Sequence, residues 1–216
     1  MTEQNFEQMR RSMVASQLRT TGVSDARVVA AMGEVPRERF VPVARQALAY
    51  ADALTDLGGG RQLNTPMALG RLLSESAPRP ADRALVIGAA TGYAAAVLDQ
   101  LVPSVVAVEE DPALASFASK ALAGTNVKLI EGPLSAGHKK GAPYDIILID
   151  GAVETIPQAI IDQLADGGRI AVAMLEDGVA RLSIGRKGGE GFGLTAYSDA
   201  AAAILPGFEK ARAFSF

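Results

Sequence analysis

Glu109 ends the apolar run Val105-Val-Ala-Val, which begins 17 residues after Gly88. A carboxylate at a strand end, about 20 residues past a glycine turn, can accept from both hydroxyls of a ribose. The turn itself is Gly88-Ala89-Ala90-Thr91-Gly92. It follows a buried-strand pattern, Ala84 to Ile87, and precedes the helix-like run from Tyr93 to Leu101. Glycine permits positive φ and lets a ligand approach without a Cβ in the way. A helix N-terminus adds unpaired N–H groups and the positive end of a dipole. The Gly-x-x-x-Gly spacing holds nothing for a pyrophosphate and suits an adenosyl ligand without phosphates. The alternative is an ordinary βαβ crossover with an incidental acid.

Other acids have two readings each. Asp150 ends the apolar run 144–149, where doubly wound sheets bind ligands. It either meets a ligand or caps the next turn. Asp111 precedes Pro112, the pattern of an N-cap followed by proline at the first helical position. The single histidine, His138, lies in a polar loop beside Lys139 and Lys140 and reads as solvated. There is no cysteine. Thiolate catalysis, disulfides and multi-histidine metal sites are therefore excluded, and no metal is expected.

The elements that must position these residues follow from periodicity. Phe6, Met9, Met13, Val14 and Leu18 have helical spacing up to Gly22. Ser24 is placed to cap a second helix carrying Val28, Val29 and Met32. Residues 54–60 read as a loop with three glycines, and Pro66 reads as a helix start. After the Pro-rich stretch 77–82 the pattern alternates. Strands are predicted at 83–87, 104–109, 126–130, 144–149 and 168–174, with helices at 92–101, 111–122 and 156–164. That alternation predicts an α/β fold with a doubly wound, mostly parallel sheet. Residues 180–185 and 193–197 read as a C-terminal antiparallel hairpin turned through 187–193, with 211–216 a further strand or packing segment. One domain, 1–216, is expected, with an N-terminal helical region at 1–76 and an α/β core at 77–216.

Hydrophobic residues make up 49% and charged residues 21%, enough for a sizeable core and against disorder. The net charge of −3 and the absence of Trp argue against nucleic acid as a partner. No long apolar run suggests a membrane span and no apolar leader is visible, so a cytoplasmic setting is expected.

With these segments placed, a family resemblance is visible over nearly the whole length. Met13-Val-Ala-Ser-Gln-Leu18, Gly22-Val-Ser-Asp-Ala-Arg-Val28 and Ala31-Met-Gly-Glu-Val-Pro-Arg-Glu-Arg-Phe-Val-Pro42 resemble the N-terminal region of the protein-L-isoaspartate (D-aspartate) O-methyltransferases. Ile87 to Leu98, Pro143 to Ile149 and Leu164 to Arg169 resemble that family's later motifs. The resemblance implies a class I methyltransferase fold and S-adenosyl-L-methionine as cofactor. It also implies carboxyl methylation of isoaspartyl residues in damaged proteins, a repair reaction. A carboxylate is already a nucleophile at neutral pH, so positioning rather than a general base supplies the catalysis. By the same resemblance, Gly88, Ala89, Ala90, Thr91, Gly92, Glu109, Glu110, Gly132, Pro133 and Asp150 line the cofactor. Asn64 takes the catalytic place, with Thr65 and Pro66 beside the substrate.

Four positions depart from the family pattern. Asn64 stands for a serine, Val86 for an acid, Ala90 for the second loop glycine, and Pro133 for the aspartate of a Gly-Asp pair. These changes admit three outcomes. The pocket retains the cofactor, with Glu109 and the backbone donors of 88–92 carrying it. Alternatively, the scaffold has lost the cofactor and serves as an interaction module, or a different acceptor is methylated. The oligomeric state is not legible.

Overall fold

The computed structural model describes residues 5–189 and 191–210. Strand β3 (Arg83–Ile87) lies inside a seven-stranded sheet, between β4 (Ser104–Glu109) and β6 (Tyr144–Val153). The full order is β5 (Lys128–Glu131), β4, β3, β6, β7 (Leu164–Glu176), β8 (Val179–Gly188), β9 (Gly191–Asp199). The first five pair in parallel, and β8 and β9 complete the sheet antiparallel. The predicted doubly wound sheet with a C-terminal hairpin is therefore the observed one.

Both faces of the central strands are covered, as a parallel sheet requires. Ala84 and Val86 enter one apolar cluster, together with residues of the N-terminal region, while Leu85 and Ile87 enter the other. The period-2 alternation of a strand divides them. The first cluster takes in α1 (Phe6–Met13), α2 (Ala26–Glu34) and α3 (Pro66–Ser76) through Met13, Met32 and Leu72. Buried Arg169 joins α3 to the sheet by donating to the Ser76 and Ala77 carbonyls and to Asp82. Helices α4 (Tyr93–Asp99) and α5 (Pro112–Ala121) follow β3 and β4, and α6 (Gln158–Ile161) follows β6.

Several local expectations change. The N-cap of α2 is Asp25, whose carboxylate accepts from Arg27 N–H, and not Ser24. The first helical segment passes into a π turn at Val14–Leu18 before Gly22. The helix expected at 156–164 is confined to Gln158–Ile161. Strand β6 runs past residue 149 to Val153, across a register irregularity between Leu148 and Ala152. The hairpin strands are longer than predicted, so the turn lies between Gly188 and Gly191. Residues 211–216 lie outside the described residues.

The largest correction falls on residues 54–60, expected as a loop. Strand β1 (Thr55–Gly58) pairs antiparallel with β2 (Arg61–Leu63), forming a two-stranded sheet of its own. Gly58, Gly59 and Gly60 all have positive φ, which makes the reversal possible without strain. A glycine run reads as a loop until the short alternation on each side of it is counted.

Candidate active site

The site is assembled at the carboxyl ends of β3, β4 and β6. Gly88 has φ of 78° and Gly92 φ of 100°, and Gly92 caps α4. A Cβ at Gly92 would lie 2.9 Å from the Leu122 side chain, so glycine is required sterically as well as conformationally. Thr91 is buried and donates its hydroxyl to the Phe40 carbonyl at 2.6 Å, tying the turn to the Pro36–Pro42 segment. Gly88 and Ala89 N–H both donate to the Val108 carbonyl, and Gly92 N–H donates to Ala89. Ala90 N–H donates to Glu109. The turn amides expected to face a cofactor are thus largely spent on the protein itself, a correction to the sequence reading. Ala90, at the second glycine position, has φ of 50°. An L-residue there carries about 1–2 kcal/mol of strain. Ala90→Gly should therefore leave stability unchanged or raise it by up to about 1 kcal/mol, the gain being offset by unfolded-state entropy. Urea denaturation checks this.

Glu109 is fully buried, and its carboxylate is saturated. Arg61 of β2 grips it with both terminal nitrogens, Nη1 to Oε1 at 2.7 Å and Nη2 to Oε2 at 3.0 Å. Ala90, Glu110 and Asp111 N–H groups donate to the same two oxygens at 2.7, 3.0 and 3.0 Å. A carboxylate offers about four lone-pair sites. In this arrangement the acceptor positions that a ribose would use are occupied by the Arg61 guanidinium. The sequence reading missed Arg61. Its signal was an arginine inside a glycine-led turn, aimed at a strand-end acid that needs a cation once buried.

Asn64 and Asp150 form a second node. Asn64 Nδ2 donates to Asp150 Oδ1 at 2.7 Å, and Asn64 Oδ1 accepts from Ala203 N–H at 2.7 Å. The carboxylate that the Asn64 amide meets is the chain's own. Arg37, fully buried, donates to the Asn64 carbonyl at 2.5 Å and to Ala49 at 2.7 Å, and lies 4.6 Å over the Tyr93 ring. Arg37 was also missed, since a charged residue in a Pro-Arg-Glu-Arg-Phe run reads as surface. Asp150 is buried, and burial pushes its carboxyl above the usual range against the opposing pull of Asn64, Arg37 and Arg61. The folded state thus binds this proton more tightly than the unfolded chain. Ionised Asp150 costs stability above its folded pKa, and that cost vanishes below the model-peptide value of 3.8. Asp150→Asn should therefore stabilise the protein relative to wild type near neutrality, with the gain fading towards pH 4, as read from melting temperature across pH.

Thr65 caps α3 by accepting from Ala68 N–H, and Pro66 takes the first helical position. Glu110 is half-buried and accepts from Leu134 N–H at 3.4 Å. Gly132 N–H donates to the Glu109 carbonyl at 3.0 Å, and Pro133 opens a short 3-10 turn at Leu134–Ala136. Val86, at the place of the missing acid, is fully buried among apolar side chains. Asp111 caps α5 as expected. His138 is half-buried rather than freely solvated. Burial, with Lys128 and Lys140 nearby, holds its imidazole below the usual range.

The segment after β9 crosses the same end of the sheet. Ala203 O accepts from Ala152 N–H, and Leu205 N–H donates to Ala152 O. A Cβ at Gly88 would lie 2.9 Å from the Leu205 side chain, and one at Gly151 would lie 2.5 Å from Leu205 Cγ. Leu205 and Phe208 are buried there. A cleft of about 450 Å³ lies elsewhere, between α1 and α2.

The family model described as protein-L-isoaspartate(D-aspartate) O-methyltransferase matches residues 9–199. The chain belongs to this family. A protein-L-isoaspartate O-methyltransferase of Methanoregula boonei is 42% identical over 166 residues, covering 76% of each chain. One from Methylorubrum populi is 39% identical over 186 residues, covering 85% of this chain and 88% of that one. Among solved structures, a protein-L-isoaspartate O-methyltransferase superposes with a TM-score of 0.81 at 24% identity, over 92% of this chain and 66% of that one. A Plasmodium falciparum protein described as a putative member, in complex with S-adenosyl-L-homocysteine, gives 0.77 at 17% identity, over 93% and 98%. At those identities the two structures support the methyltransferase fold alone. Among the described residues no helix is long and apolar enough to cross a membrane, and no cluster of acids or histidine could hold a metal.

The residues of this family member fit the cofactor only in part. The glycine turn and the strand-end acid are in register, but Glu109 has no free acceptor while Arg61 holds it. In the conformation described, Arg61 occupies both carboxylate oxygens of Glu109.

Proposed function

We propose that this protein methylates the side-chain carboxylate of L-isoaspartyl and D-aspartyl residues in damaged proteins, with S-adenosyl-L-methionine as methyl donor. The observation that carries the reading is the family match across residues 9–199, which spans the glycine turn and Glu109 together with the N-terminal region. Bound cofactor supplies an activated methyl group on a sulfonium. The chain's own residues supply position. Glu109 is a carboxylate oriented by three backbone N–H groups and by Arg61, and Thr91 fixes the turn beside it. Asn64, with its peptide pinned by Arg37, fixes the loop that leads into α3. No general base is needed, because the acceptor carboxylate is ionised at neutral pH. Water exclusion and alignment are the remaining tasks. The substrate side is assigned to Asn64, Thr65 and Pro66, within a single domain comprising the 1–76 region and the 77–216 core. The setting is cytoplasmic, with damaged proteins or peptides as partners and neither nucleic acid nor membrane.

A second reading is favoured by one observation, the saturation of Glu109 by Arg61. It holds that the scaffold has closed permanently and binds no cofactor. A labelled methyl donor and a pair of peptides, one isoaspartyl and one with normal aspartate, separate the two. Base-labile methyl in the isoaspartyl peptide alone is the expected result. Label in neither peptide would favour the closed scaffold.

A further inference from the structure

Arg61 presents two parallel N–H donors to the two oxygens of one buried carboxylate. A vicinal diol presents two O–H donors to the same pair. The guanidinium thus stands in for the ribose that the strand-end position of Glu109 is expected to hold. The other three donors on Glu109 are backbone amides of the turn and of the β4–α5 connection, fixed by the fold. Arg61 is the only member of the set that can leave. It rides on the β1–β2 hairpin, which forms a sheet separate from the main one. Two-stranded hairpins are marginal by themselves and depend on their docking contacts. The outer residues of this one are exposed, and Arg45–Asp56, its further ion pair, is a surface pair at 3.3 Å. Leu63 and Thr55 are buried at its base, and the ion pair that fixes Arg61 at its turn side also occupies the ribose position.

Resting on the cofactor assignment above, we propose that the Thr55–Leu63 hairpin is an autoinhibitory latch. Arg61 holds Glu109 in the closed state, and the ribose of S-adenosyl-L-methionine reaches Glu109 by displacing it, so ribose binding and Arg61 release are one competition. Releasing Arg61 leaves Glu109 supported by three amide donors and ready to accept two hydroxyls. The affinity of the wild-type protein is then the intrinsic affinity reduced by the fraction of time the latch is open.

The test is calorimetric titration of the whole chain with S-adenosyl-L-homocysteine, comparing wild type with Arg61→Gln. The variant keeps one amide donor but loses the charge and the fork. It should bind at least about tenfold more tightly. Equal or weaker binding by the variant would overturn the latch while leaving the methyltransferase reading intact. No binding by either protein would sink both. Hydrogen exchange on the wild type with the same ligand needs no substitution and gives an independent sign. Hairpin amides should exchange faster when the ligand displaces Arg61, and slower exchange would contradict release.

Discussion

Glu109→Ala should lower stability by about 3–5 kcal/mol, the largest loss expected from any single substitution in the site. The reason lies in what is left behind. Glu109 is wholly buried and serves as acceptor for Arg61 and for three backbone N–H groups. Alanine leaves the guanidinium with no counter-charge and three donors with no acceptor. Breaking a buried pair from one side costs far more than the pair itself contributes. Glu109→Gln should be nearly as damaging, because the amide nitrogen must face a donor wherever it points. Arg61→Gln should cost less, since Glu109 retains its three amides. Urea denaturation of the three variants gives this ranking directly. Equal losses for Glu109→Ala and Arg61→Gln would show that the ion pair, and not the amide cradle, dominates.

Asn64→Ala should cost about 2–4 kcal/mol. Its two ends join elements far apart in sequence, Asp150 at the end of β6 and Ala203 in the segment after β9. Truncation strands the Asp150 carboxylate and a backbone N–H in a buried site, each at the price of its full desolvation. Asn64→Ser, which restores the family's residue type, can satisfy one partner but not both at the reach of a hydroxyl. It should fall between wild type and alanine. Melting temperatures order the three. Alanine and serine falling together would mean that only one of the two hydrogen bonds matters.

The sheet was legible because strand and helix periods alternate after residue 82, although β7 begins at Leu164, inside the helix expected at 156–164. Ala84–Ile87, Val105–Val108 and Ile146–Ile149 are apolar on both faces, the signature of parallel strands covered on two sides. Asp111 before Pro112 announced a cap through local chemistry alone, and the structure places it there. The position of Glu109 was legible for the same reason. Its partner was not, because Arg61 is 48 residues earlier and the ion pair depends on how the hairpin docks. Arg37 was invisible for a related reason. A charged side chain reads as solvated until the fold encloses it between Tyr93 and the Asn64 peptide. The segment at Ala203–Leu205 carries no motif of its own. Its place over Gly88 and Gly151 is set by the return of the chain after β9, and Gly151 matters only because Leu205 and the Ala203 carbonyl come so close. Local rules thus located the turn and the acid, while tertiary contacts decided what occupies them.

The most direct test of the account is a crystal structure of the protein grown with saturating S-adenosyl-L-homocysteine. The account predicts the ligand's ribose hydroxyls on Glu109, Arg61 withdrawn, and the Thr55–Leu63 hairpin displaced from its present position. A crystal in which Arg61 still grips Glu109 and the turn from Gly88 to Gly92 holds no ligand would contradict it.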